Sequence, residues 1–154
     1  MRHLYTRFIY LAVAISLFGV AVHAAAILGG PSWYAFFGAP PQIVASARAG
    51  TWLAPVSTAG IAVLMGICAA YGCSALGLFR RLPLLRTVLA GIAAICLLRG
   101  LVLVPLAFTH PQLLNLFEVV AALTWGMAGI GFLAGFLMSR STLAQARTLT
   151  GIVR

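Results

Sequence analysis

Four apolar stretches, each long enough to cross a membrane, occupy most of this sequence. They cover about residues 8–28, 52–76, 87–108 and 114–138, and polar or proline-containing segments separate them. A membrane-spanning helix needs about 20 mostly apolar residues, and an isolated strand could not satisfy its backbone hydrogen bonds in lipid. The pattern predicts an all-α integral membrane four-helix bundle, a single transmembrane domain over residues 1–154 with a tail at 139–154.

The connection between the first two stretches has a pattern of its own. Gly29, Gly30 and Pro31 are predicted to end the first helix, and an aromatic-rich segment follows at 33–37. After a second break around Pro40, residues 43–49 are predicted to form a short helix. The aromatic side chains have two interpretations: anchors at the level of the lipid headgroups, or an apolar lid over the outer mouth of the bundle.

The distribution of charged residues predicts how the helices are oriented in the membrane. The chain is 63% hydrophobic and 7% charged, whereas about 25% of residues are charged in a soluble domain. All ten basic residues are arginines, and eight of them flank the predicted spans on one side, against Arg48 alone on the other. The positive-inside rule places both termini and the middle loop in the cytoplasm. We therefore expect a multi-pass membrane protein whose arginines meet membrane lipids and no nucleic acid.

The first stretch allows an alternative interpretation. Residues 1–24 resemble a secretory signal, with Arg2 and Arg7 before an apolar core and a candidate cleavage site at 21–24. Cleavage would leave three spans. The apolar run continues through Leu28, which favours a full-length first span.

Two charged residues lie inside the apolar stretches, Arg99 in the third and Glu118, the one acidic residue of the chain, in the fourth. A charge at membrane depth costs at least a few kcal/mol, so it normally faces protein, water or a ligand. Both positions fall in the outer half of adjacent antiparallel helices. The sequence leaves open a direct ion pair, a water-bridged contact, or separate roles.

These two residues are the centre of the predicted ligand site. The aromatic residues Trp33, Tyr34 and Trp52 are predicted at the outer interface, with His23 near the outer end of the first helix. An apolar rim over one buried cation suits an amphiphile with an anionic or carbonyl head. The sequence thus predicts a lipid- or quinone-type ligand held by Arg99, Glu118, His23, Trp33, Tyr34 and Trp52.

Enzymatic chemistry finds little support in the sequence. The chain has no aspartate and one glutamate, so it lacks Ser-His-Asp triads and carboxylate pairs. No metal-ligand spacing or phosphate-binding loop is present, and no catalytic residue, metal or cofactor is predicted. We expect a non-enzymatic lipid- or amphiphile-binding protein or accessory subunit. The alternative is a small transporter or proton-linked carrier using Arg99 and Glu118.

Glycines in the fourth stretch indicate close helix packing. Gly131 and Gly135 have the small-xxx-small spacing that lets helix backbones approach each other. We expect this surface to be used mainly within the bundle. A homodimer or larger complex formed through the same two glycines is the alternative.

Three segments resemble those of small, functionally uncharacterised four-span inner-membrane proteins of proteobacteria. The likeness covers about residues 29 to 107, and it implies topology and bacterial origin without an activity. The segments are Trp33-Tyr34-x-Phe36-Phe37-Gly38-Ala39-Pro40, Arg81-Leu82-Pro83-Leu84-Leu85-Arg86 and Leu97-Leu98-Arg99-Gly100-x4-Pro105-Leu106.

Reporter fusions test the predicted orientation. Fusions after Phe79 and at the C-terminus should report the cytoplasm, because arginines cluster on that side. Fusions near Gln42 and His110 should report the periplasm. An externally exposed C-terminus would overturn the argument from the arginine count.

Overall fold

The part of the chain that the structure describes consists of helices and the loops that connect them, with no strands. A computed structural model describes the backbone of residues 2–114 and 116–152, and the side chains of residues 2–112, 114 and 116–139. The helices are α1 (Arg2–Gly29), α2 (Pro31–Phe36), α3 (Pro41–Arg48), α4 (Leu53–Ala75), α5 (Leu85–Leu101), α6 (Leu103–Thr109) and α7 (Leu116–Ile152), with a 3₁₀ turn at Pro111–Leu113.

Four helical segments are long and apolar enough to span a membrane, as the sequence predicts, which indicates a multi-pass membrane protein. They are Arg2–Gly29, Leu53–Ala75, Leu85–Thr109 and Leu116–Ser139. The short helix predicted at 43–49 is confirmed as α3, whereas α2 was not predicted as a helix. The segment predicted as a tail from residue 139 is helical as far as Ile152, where α7 ends. The last two residues of that tail lie outside the described residues.

The third spanning segment consists of two helices. α5 ends at Leu101 and α6 begins at Leu103, with Val102 between them at φ −56° and ψ −26°. Pro105 explains the interruption, because it has no N–H to donate to the carbonyl of Leu101. The Val102 dihedrals remain near helical values, so the chain continues from α5 into α6 with only a local irregularity.

Two compact units are distinguishable, and each has its own core. Unit 1 comprises residues 1–15 and 69–154, and unit 2 comprises residues 16–68. In unit 1, Ile9 and Val13 of α1 meet Ala69 of α4 and Ala134 of α7 in a buried cluster. Parts of α1, α4 and α7 therefore share one apolar core, and α5 packs along α7.

Glycine makes the contact between α5 and α7 very close. A Cβ atom added at Gly100 would lie 3.0 Å from the carbonyl oxygen of Ala122 and 3.0 Å from the backbone nitrogen of Gly126. Backbone atoms cannot move aside as a flexible side chain can. A side chain at position 100 would therefore require the two helix backbones to shift apart by a few tenths of an ångström.

The predicted packing glycines of α7 are used inside unit 1. A Cβ atom at Gly131 would collide with the carbonyl oxygen of Phe8 and with Ala12 on α1, and Gly135 lies near Ile9 and Leu89. This is the intramolecular use that the sequence favoured. A dimer contact through the same glycines stays a prediction, and it would require these helices to separate.

Unit 2 combines the second half of α1, the first half of α4 and the two short helices. Its core contains Ala26, Tyr34 and Ala54. The buried hydroxyl of Ser46 accepts a 3.0 Å hydrogen bond from the backbone N–H of Ala54. This bond satisfies one of the N–H groups that the first turn of α4 leaves without a helical partner, so α3 holds the start of α4.

We predict that Gly100→Ala destabilises the protein, because the added methyl group meets backbone atoms of α7. The expected loss is about 1–3 kcal/mol, measured as a lower thermal unfolding temperature of the purified protein in detergent. Gly91→Ala is the matched control on α5, since nothing lies within 4 Å of its added Cβ. It should be neutral, or stabilising by up to about 1 kcal/mol through helix propensity. Equal effects of the two substitutions would contradict the close contact.

Candidate functional site

Arg99 and Glu118, the two charged residues inside the predicted apolar stretches, form a direct ion pair. Arg99 lies in the last turn of α5, and Glu118 lies in the first turn of α7. The Nη2 atom of Arg99 is 3.3 Å from the Oε2 atom of Glu118. Of the three arrangements that the sequence left open, the structure shows the direct contact.

The helix ends add to the electrostatics of this pair. A cation is stabilised near the C-terminus of a helix and an anion near the N-terminus. Glu118 occupies the favourable first turn of α7, whereas the helix that carries Arg99 continues through Val102 into α6. The carboxylate of Glu118 therefore interacts favourably with the dipole of its own helix as well as with Arg99.

The close packing at Gly100 explains how the side chains meet. Helical side chains lean toward the N-terminus of their own helix, which by itself would move Arg99 and Glu118 apart. Gly100 follows Arg99 directly, and its contact with Ala122 draws α5 against the first turns of α7. The short distance between the backbones thus compensates for the opposite lean of the two side chains.

Protein does not enclose the ion pair. The side chains of Arg99 and Glu118 are 39% and 28% exposed. A guanidinium has five N–H donors, and the one hydrogen bond found from that of Arg99 to the described residues goes to Glu118. Arg99 is therefore partly exposed at the surface of unit 1 and has N–H donors beyond the one that bonds to Glu118.

The other predicted ligand residues belong to unit 2. The Nδ1 atom of His23 is 2.7 Å from the carbonyl oxygen of Gly19 in the same helix. Tyr34 is only 4% exposed, whereas Trp33 and Trp52 are largely exposed. The buried Tyr34 hydroxyl has no hydrogen-bond partner among the described residues. The cleft that would combine these residues with Arg99 stays a prediction.

The middle loop, residues 76–84 between α4 and α5, is held by hydrogen bonds from polar side chains of α4. Ser74 is buried in α4, its hydroxyl donates to the carbonyl of Arg80 at 3.3 Å, and it accepts from the N–H of Leu82 at 3.0 Å. The hydroxyl of Tyr71 donates to the carbonyl of Pro83 at 3.2 Å. Two side chains of α4 thus fix the course of the loop. A serine six to eight residues before its backbone partners is not a recognisable sequence motif, so these hydrogen bonds were not predicted from the sequence.

Three arginines in and just after the middle loop, predicted to meet lipid headgroups, have different surroundings. They are Arg80, Arg81 and Arg86. The guanidinium carbon of Arg86 lies 5.5 Å from the ring centroid of Phe136, a cation–π geometry. Arg81 lines a pocket with Arg2. Arg80 is exposed and does not line that pocket.

No protein-family model, curated protein or solved structure matches the chain. The resemblance to small four-span inner-membrane proteins stays a prediction from its three segments. The role of Arg99 and Glu118 has to be argued from their geometry and chemistry.

A double-mutant cycle tests the energetic value of the ion pair. Glu118→Leu should lower the thermal unfolding temperature more than Arg99→Leu, because it leaves a guanidinium that cannot lose its charge. The double substitution should recover part of the loss, with a coupling energy of about 0.5–3 kcal/mol. Strictly additive losses would show that the contact contributes nothing to stability.

Proposed function

We propose that this protein is a non-enzymatic amphiphile-binding protein, or an accessory subunit, of the bacterial inner membrane. Its ligand is a lipid or quinone-type molecule whose polar head binds at Arg99 beside Glu118. The observation that supports this proposal is the partly exposed guanidinium of Arg99, which has N–H donors beyond the one that Glu118 uses.

The depth of Arg99 favours a ligand from the membrane. Arg99 is fourteen residues beyond Leu85, the first residue of α5, which corresponds to about 21 Å along the helix axis. With the termini in the cytoplasm, as the arginine count predicts, the ion pair lies in the outer half of the bilayer. Exposed polar donors at that depth have few partners other than water defects and the polar heads of amphiphiles.

The charge of the pair favours a carbonyl oxygen as the group recognised. An ionised Glu118 already balances the charge of Arg99, so an anionic ligand would leave a net negative charge in a medium of low dielectric constant. A neutral ester or quinone carbonyl adds a hydrogen bond to a charged donor without that cost. Such a bond is worth about 1.5–3 kcal/mol.

The surface around the pair suits an apolar tail. Large apolar side chains next to the two charged residues along the chain are exposed on the surface of the helices. They are Leu98, Leu101, Leu116 and Phe117. An acyl or isoprenoid chain can lie on this surface while its head reaches the guanidinium, so one amphiphile satisfies both the polar and the apolar parts of the site.

Native mass spectrometry of the detergent-purified protein tests this proposal. The wild-type chain should retain one bound lipid or quinone, and Arg99→Gln should lose most of it, because the amide is uncharged and has fewer donors. Arg48→Gln is the charge control, since it removes the arginine predicted on the same side of the membrane but outside the spanning helices. It should retain the ligand.

A stability measurement separates loss of the ligand from loss of the fold. The Arg99→Gln/Glu118→Gln variant removes both charges at once and leaves no unpaired ion. It should unfold cooperatively in detergent yet retain no ligand. A wild-type protein without a stoichiometric amphiphile, or an Arg99→Gln variant that keeps it, would rule out this site.

A further inference from the structure

A polar pocket, separate from the Arg99–Glu118 ion pair, lies at the end of unit 1 where α1 begins and α4 ends. Its volume is about 470 Å³, within the range of about 300–1,000 Å³ that is usual for small-ligand sites. Two arginines line it, Arg2 from the first turn of α1 and Arg81 from the middle loop. Leu85, at the start of α5, contributes to its apolar part.

Three of the four side-chain hydroxyl groups that line this pocket donate to the backbone, and the fourth is that of Tyr10. Thr6 donates to the carbonyl oxygen of Arg2 at 3.0 Å, and Ser139 donates to that of Gly135 at 2.8 Å. Ser74 donates to the carbonyl oxygen of Arg80. These hydroxyls have given their single O–H donor to the protein. The side-chain donors left for a ligand are therefore those of the two guanidiniums and the hydroxyl of Tyr10.

The chain cannot neutralise these guanidiniums with its own carboxylate side chains. Glu118 is the only aspartate or glutamate in the sequence, and it lies 3.3 Å from Arg99, near the opposite end of α5 from the pocket. Arg2 and Arg81 share one concave surface and repel each other there. An external anion between the two guanidiniums would offset this repulsion.

The loop that supplies Arg81 is held in place before any ligand binds. Ser74 bonds to the loop on both sides of Arg81, to the carbonyl of Arg80 and the N–H of Leu82. At the start of the loop, Gly77 adopts φ 75°, and the N–H of Leu78 donates to the carbonyl of Cys73 at 3.1 Å. This arrangement is a Schellman motif. A preorganised loop lowers the entropic cost of binding.

We propose that this pocket binds the phosphate group of an anionic phospholipid, with Arg2 and Arg81 as its ligands. Guanidiniums match phosphate oxygens in bidentate geometry, and basic pockets between membrane helices commonly bind acidic headgroups. Phe79 lines the pocket and is exposed, so it provides an apolar surface for an acyl chain. A lipid therefore fits better than free phosphate. This site is separate from the one at Arg99.

The test measures thermal unfolding of the full chain in neutral detergent during titration with dioleoylphosphatidylglycerol. Parallel titrations use dioleoylphosphatidylcholine and inorganic phosphate. Phosphatidylglycerol should raise the unfolding temperature of the wild type at least several-fold more than either of them. Arg2→Gln/Arg81→Gln should weaken the apparent affinity for phosphatidylglycerol at least tenfold. Native mass spectrometry counts the retained phosphatidylglycerol directly, which keeps the test valid if that variant is less stable.

The matched control is Arg7→Gln/Arg80→Gln, which removes two exposed arginines of α1 and the same loop that do not line the pocket. It should keep the wild-type response. Equal weakening in both double variants would show diffuse attraction to charge and overturn the proposal. An inorganic phosphate response equal to that of the lipid would overturn the assignment to a phospholipid. Arg2→Gln/Arg81→Gln leaves Arg99 and Glu118 intact, so loss of its phosphatidylglycerol response and loss of the amphiphile at Arg99 are separate results, and the two proposed sites can fail independently.

Discussion

A guanidinium inside a membrane-spanning segment must have a counterion or a polar partner, and this constraint shapes the packing of α5 and α7. Arg99 cannot discharge by losing its proton, and Glu118 is the one acidic side chain of the sequence. The two meet at 3.3 Å because Gly100 lets the backbones of α5 and α7 approach closely. The ion pair and the helix contact therefore depend on each other, and a larger residue at position 100 would affect both.

The sequence predicts the spanning helices well because their signal is additive over about 20 residues. The end of α1 at Gly29 and the short helix α3 also follow from local signals, since glycine and proline restrict the backbone wherever the rest of the chain lies. The interruption at Val102 was foreseeable only as a break near Pro105. The continuation of α7 beyond residue 138 was not, because a mixed polar and apolar tail is compatible with a surface helix or with disorder.

The contacts of individual polar side chains were beyond sequence reasoning. The lean of helical side chains argued against the Arg99–Glu118 contact, and the compensating approach at Gly100 depends on tertiary packing. Ser74 and Arg81 show the same limit. Ser74 looks like a small residue near a helix end, and only the structure shows that its hydroxyl bonds to the loop on both sides of Arg81. Binary patterns locate helices, but they do not reveal which side chains meet across loops.

The shortage of acidic residues also explains why the arginines differ in chemistry. Arg99 pairs with the carboxylate of Glu118. Arg86 lies over the ring of Phe136, and an aromatic ring is a weaker partner for a cation than a carboxylate. Arg2 and Arg81 line a pocket together, and no carboxylate side chain is left to balance them. A chain with net charge +9 reaches electroneutrality only through its surroundings, and in a membrane the most abundant anions are lipid headgroups. The same composition therefore leaves a cationic surface on unit 1, at Arg2 and Arg81, that the carboxylate side chain of the chain does not neutralise.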